Sequence, residues 1–137
     1  MLNFIIVLLV ALFILLNARR KIKRKGIIYY NRMLAEDKLT SQAIAEFNLS
    51  KKEILSSENS AIEINKFITQ LQLDKAEEKK SMDKILRDSF LMFIHGSEVL
   101  SANYAESRYQ VDIINRKLEM SYNLRHRINT DNGLKGT

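Results

Sequence analysis

The chain has 137 residues, with 22 Lys and Arg against 16 Asp and Glu, no Cys, no Pro, no Trp, and 46% hydrophobic residues. That length suits a single domain, and the absence of cysteine excludes a disulfide scaffold, a thiolate zinc site, a cysteine nucleophile and an iron–sulfur cluster. With no proline, only four glycines, and His95 and His126 as the only histidines, the punctuation of β-rich folds and the ligands of a histidine-rich metal site are missing, so an all-α chain is expected.

The formal charge of +6 is a local property. Six basic residues, Arg19, Arg20, Lys21, Lys23, Arg24 and Lys25, lie within 18–25, and the basic residues left in 26–137 equal the 16 acids in number. The basicity therefore marks one place on the chain rather than a nucleic-acid-binding surface.

Ahead of that cluster, residues 1–16 are apolar except for Asn3 and carry no charged side chain. As a helix, 1–17 would span about 25 Å, a little short of a hydrocarbon core of about 30 Å. Arg19 and Arg20 can make up the difference by laying their stems along the apolar region with their heads at the interface. A cleaved signal peptide needs positive charge before the apolar run and small residues after it. Here the order is reversed, and Leu16-Asn17-Ala18 lacks a small residue at its first position. An uncleaved single-pass transmembrane anchor is thus preferred to a cleaved signal or a buried soluble helix.

The basic flank sets the direction, because short Lys/Arg-rich segments stay on the cytoplasmic side. The expectation is a cell inner (cytoplasmic) membrane protein with its N-terminus outside and its C-terminal domain cytoplasmic. The same six residues can also gather anionic lipid headgroups, at about 1 kcal/mol each near the surface. The domain plan is a transmembrane anchor over 1–18, a basic juxtamembrane stalk over 19–38, a helical domain over 39–129 and a flexible tail over 130–137.

Ile27, Ile28, Tyr29, Tyr30, Met33 and Leu34 continue the anchor helix as a stalk, the two tyrosines serving either the headgroup region or packing on the domain. A break is expected around 36–41, then a short helix over 41–47 with Ile44 and Phe47 on one face. Asn48-Leu49 interrupts it, and Ser50-Lys51-Lys52-Glu53 has the form of a capping box that opens a longer helix. Along that helix Ala61, Ile64, Ile68 and Leu71 alternate at spacings of three and four, the narrow seam of one helix packed on another. The polar stretch 74–81 is either a solvated turn or the exposed waist of one long helix, and Met82 and Ile85 fall back into phase with the seam beyond it.

Phe90-Leu91-Met92-Phe93-Ile94 is apolar on every side of a helix, so it is either the centre of the core or a contact surface for another chain. Phe90, Leu91, Phe93 and Ile94 are the candidate protein contacts. Val111, Ile114 and Leu118 form a further seam, with Tyr104, Tyr109, Ile113, Leu124 and Ile128 adding area. Arg125 and Arg127 close that helix at its carbonyl end, and 129–137 has the composition of a frayed tail. The fold expected is a single N-terminal transmembrane helix followed by an elongated helical hairpin or coiled-coil-like bundle, a thin structure that is more secure as an oligomer.

There is no glycine-rich phosphate loop, HExxH, DxDxDG or GxSxG. Glu77 and Glu78 sit in a solvated charge run, and His95 has no second ligand at workable spacing. No enzymatic activity, cofactor or metal is expected. One motif stands out: residues 39–54, from Leu39-Thr40 through Ile44-Ala45 and Leu49-Ser50 to Ile54, resemble the helix-turn-helix of bacterial regulators. The resemblance implies that Ser50 caps a recognition helix and that Lys51 and Lys52 face phosphates or base edges. It covers 16 residues, lacks one residue between Ala45 and the turn, and has Asn48 where that pattern has glycine. The missing residue turns the first helix by about 100° relative to the turn.

The function expected is a membrane-anchored helical adaptor or structural subunit that mediates assembly with a protein partner or with itself. Anchored nucleic-acid binding and membrane remodelling, as in small phage membrane proteins, are the alternatives.

Overall fold

A computed structural model describes residues 1–35 and 38–135. Five helices follow one another: α1 (Leu2–Ala35), α2 (Lys38–Ser56), α3 (Ser60–Arg87), the short α4 (Met92–His95) and α5 (Ser97–Lys135), with one 3-10 turn over Ser89–Leu91 before α4. No strand occurs among the described residues. α1 is the one helix among them long and apolar enough to cross a membrane.

α5 is the spine. At 39 residues it is about 58 Å long, and α1, α2 and α3 all pack on it. Its buried residues, among them Leu100, Tyr104, Val111, Ile113, Ile114 and Leu118, do not form one stripe. A helix covered on several sides has no use for one. α1 runs parallel to α5, since Gly26 lies against Tyr104 and Tyr30 reaches Asp112. α2 continues in the same direction, with Gln42 at Tyr109 and Glu46 at Lys117. α3 returns antiparallel, from Asn65 beside Arg125 to Leu86 in the cluster that holds Leu100.

Three cores are strung along this spine. Phe47 and Ile54 of α2 meet Ile64, Ile68 and Leu71 of α3 and Ile114, Leu118, Leu124 and Ile128 of α5 at the far end. Leu39 and Ala43 pack with Tyr109 and Ile113 in the middle, under Tyr30 and Met33. Ile22 joins Leu86, Leu100 and Tyr104 at the near end, flanked by Met82, Ile85, Leu91 and Met92. The seams expected in α3 and α5 are thus buried. The stretch 74–81 is the waist of one unbroken helix.

Three expectations about α2 are corrected. Asn48-Leu49 does not interrupt: α2 is continuous, because it holds no Gly or Pro and because Phe47 and Ile54, seven residues apart, reach one core only from an unbroken helix. The Ser50 hydroxyl donates to the Glu46 carbonyl at 3.5 Å instead of capping. α3 starts at Ser60 and is capped by Asn59, whose side chain accepts from the Ile62 N–H at 3.4 Å, while Ser60 Oγ donates to the Ile54 carbonyl at 3.1 Å. Ile44 is exposed, the buried face of α2 being Leu39, Ala43, Phe47 and Ile54.

Two further points concern the ends of α5. Of the two alternatives for Phe90–Ile94, the centre of the core is excluded, because the segment forms the turn between α3 and α5, closed by Gly96 at φ +84°. That backbone conformation favours glycine. At the other end, α5 does not stop at Arg127 but runs to Lys135, while 136–137 lie outside the described residues, as do 36–37 where a break was expected.

Candidate functional site

The near end of the rod gathers the basic cluster and the apolar turn. Of the stalk expected over 19–38, residues 19–35 pack along α5 as part of the helical domain, and 36–37 lie outside the described residues. Ala18, Ile22 and Gly26, four apart on α1, are buried. A Cβ on Gly26 would stand 2.5 Å from Tyr104 Cδ1 and 3.3 Å from the Ser101 carbonyl oxygen. The absent side chain is what lets the two backbones approach. Ser101 is buried there without a hydrogen-bond partner for its hydroxyl.

Docking of this face divides the basic residues. Arg20, Lys21 and Arg24 border one outward concavity with Asn17, and Lys23 is exposed. Lys25 is half-buried, its Nζ donating to Ser97 Oγ at 3.0 Å. Arg19 lies in a groove with Leu12, Leu15 and Leu16 of α1 on one side and Asp83, Leu86, Arg87 and Ser89 on the other. The end of α3 and the 3-10 turn therefore stand beside the bare apolar half of α1.

The turn splits its apolar residues. Leu91 and Met92 fold inward onto the near core, whereas Phe90, Phe93 and Ile94 are exposed, as is Val99 one turn into α5. Of the four candidate contacts, Leu91 is thus half-buried within the chain, and the other three are exposed. Gly96, with only His95 between it and the apolar run, was the sequence signal for a turn. The signal for the α1–α5 approach was the lone glycine in a helical stretch, one helical step from Ile22 and two from Ala18.

Polar contacts fasten α1 and α2 to the spine. The Tyr30 hydroxyl donates to Asp112 Oδ2, and the Arg108 guanidinium sits 4.5 Å above the Tyr30 ring centroid. Burial pushes the Asp112 carboxyl above its ordinary pKa, opposed by the charge of Arg116. On α2, Glu46 meets Lys117 Nζ at 2.5 Å and accepts from Gln42 Nε2 at 3.2 Å. The Lys117 hydrogen bond holds the Glu46 carboxyl below its ordinary pKa against an opposing effect of burial. Tyr30 is therefore a packing residue with a satisfied hydroxyl.

Lys51 and Lys52 lie within the continuous α2 rather than at the start of a recognition helix. Lys51 is half-buried in a crevice with Phe47, Met120 and Arg127, and Lys52 is exposed. The helix-turn-helix resemblance does not survive, because no turn separates two helices across 39–54. No group of three or more His, Cys, Asp or Glu that could hold a metal ion occurs among the described residues. Compared with protein families, with curated proteins and with solved structures, the chain matches none.

Proposed function

We infer that the protein is a single-pass membrane-anchored helical adaptor or structural subunit, with its N-terminus outside and its rod-shaped domain on the cytoplasmic face. One observation carries this reading: α1 is a single helix from Leu2 to Ala35 whose first half is bare and apolar and whose second half is packed along α5. A spanning helix joined to its domain by a flexible linker would leave the domain free to tumble. Here the anchor is itself part of the fold, so a partner bound along the rod is held at a set height above the bilayer.

The basic cluster supports the orientation through its retention on the cytoplasmic side. Arg20, Lys21 and Arg24, turned away from the domain, suit anionic headgroups. Exposed Ile62 and Leu73 on one side of α3 and Leu49 and Leu55 on α2 offer apolar area for a protein partner or a second copy. Extraction of the full-length protein in mild detergent, with mass determination and identification of whatever co-purifies, tests the proposal. A defined oligomer or a recurrent protein partner is expected, and a partnerless monomer overturns the adaptor role.

A further inference from the structure

We propose that the turn between α3 and α5 is a second membrane contact, an apolar wedge that lies in the interfacial layer of the same leaflet through which α1 emerges. The inference rests on the anchored reading of α1. Its own observation is the juxtaposition of the end of α3 and the 3-10 turn with the apolar half of that helix, α4 following directly on that turn.

Level along α1 is the first argument. Leu86 and Ser89 share a groove with Leu12 and Leu16, as well as with Arg19. Leu12 precedes Arg19 by seven residues, about 10 Å along the helix axis. If Arg19 marks the headgroups, the turn reaches below them, to the depth of the outer acyl chains. A rod that stopped at the bilayer surface would touch α1 only beyond Arg19.

The division of side chains is the second. Five consecutive apolar residues make up 90–94, and the near core takes only Leu91 and Met92. Phe93 and Ile94 are 63% and 70% exposed, and Phe90 is 49% exposed. In water they would form a bare apolar tip, which soluble surfaces avoid. Phe90 in the 3-10 turn that packs against α1, with Phe93 and Ile94 in the four-residue helix after it, matches the apolar face that interfacial segments bury.

The charged neighbours fit the same occupant. Arg87, close to Asp88 at 4.0 Å, keeps its side chain 75% exposed at the rim of the groove. Together with Arg19, and with Asp83 on the same groove, it marks where the apolar tip gives way to the polar rod, the two arginines outnumbering the one carboxylate that lines that groove at the level of the lipid phosphates. A single spanning helix can rotate and tilt in the bilayer. A second contact beside it holds the rod in one azimuth and displaces lipid from one leaflet.

The chain contains no tryptophan, so each single tryptophan variant carries its own depth probe. Full-length Phe93→Trp, Leu8→Trp and Leu73→Trp proteins are reconstituted in vesicles of phosphatidylcholine and phosphatidylglycerol whose acyl chains are brominated at shallow or deep positions, with iodide as the aqueous quencher. Phe93→Trp is expected to emit at shorter wavelength than Leu73→Trp, to lose intensity most with shallow bromines, and to resist iodide. Leu8→Trp should lose most with deep bromines.

If Phe93→Trp is quenched by iodide and not by lipid while Leu8→Trp is lipid-quenched, the anchor stands and the wedge is overturned. A Leu8→Trp signal untouched by lipid overturns the anchor and the wedge together. A Phe93→Trp signal shielded from both quenchers places a protein on the tip and overturns the assignment to lipid.

Discussion

A methyl group on Gly26 would meet the ring of Tyr104, which is itself buried, so the glycine is retained at a place where helix propensity alone argues for alanine. Mid-helix glycine costs about 1 kcal/mol relative to alanine. The close approach of α1 to α5 offsets that cost here. Gly26→Leu is expected to lower stability by about 1–3 kcal/mol, the usual result of forcing volume into a packed contact, although it raises helix propensity. Thermal melting in detergent, with limited proteolysis between α1 and α2, would register the loss. An unchanged melt would mean that α1 does not dock on α5 through this face.

Among elements, α2 and α1 each meet α5 through a carboxyl group of shifted pKa, Glu46 for α2 and Asp112 for α1. The folded-state pKa of Glu46 is lowered, chiefly by its hydrogen bond to Lys117. Its contribution is therefore present above the ordinary glutamate pKa and lost as pH falls through the lowered value. Asp112 has the opposite sign: burial raises its pKa, so the fold gains from its protonation and loses that gain as pH rises from the ordinary aspartate value through the raised one. Melting temperatures of the wild type and of Glu46→Gln across about pH 3 to 7, where carboxylates titrate, would separate the two. The variant should melt lower than wild type at neutral pH and lose the acid-side decline due to Glu46. A variant curve parallel to wild type would remove the pair from the account.

At the scale of the whole molecule, the anchored reading makes the six basic residues topogenic. Replacing Arg20, Lys21, Lys23 and Arg24 by Gln leaves Arg19 in its groove and Lys25 on Ser97. It should therefore spare the fold while weakening retention on the cytoplasmic side. Protease protection of the C-terminal domain in sealed membranes should shift from one uniform orientation to a mixture. A uniform orientation in the variant would show that something other than this charge directs insertion.

Periodicity and composition determined a good deal without any structure. The all-α class, the apolar first helix, the basic cluster and the buried seams at Ile64, Ile68, Leu71, Val111, Ile114 and Leu118 all follow from local spacing, because a helix face is a property of residues three and four apart. What local spacing does not carry is which face meets which. Asn48-Leu49 looks like a break until Phe47 and Ile54 are required in one core. Ser50 looks like a cap until helix runs on both sides of it, and 90–94 stays open between core and contact surface until Gly96 turns the chain there. Only the tertiary structure set the second half of α1 along α5 and brought the turn beside Leu12 and Leu16. Those contacts join residues about 70 or more apart in sequence, and their strength lies in close packing of two surfaces, each of which satisfies its own helix equally well alone.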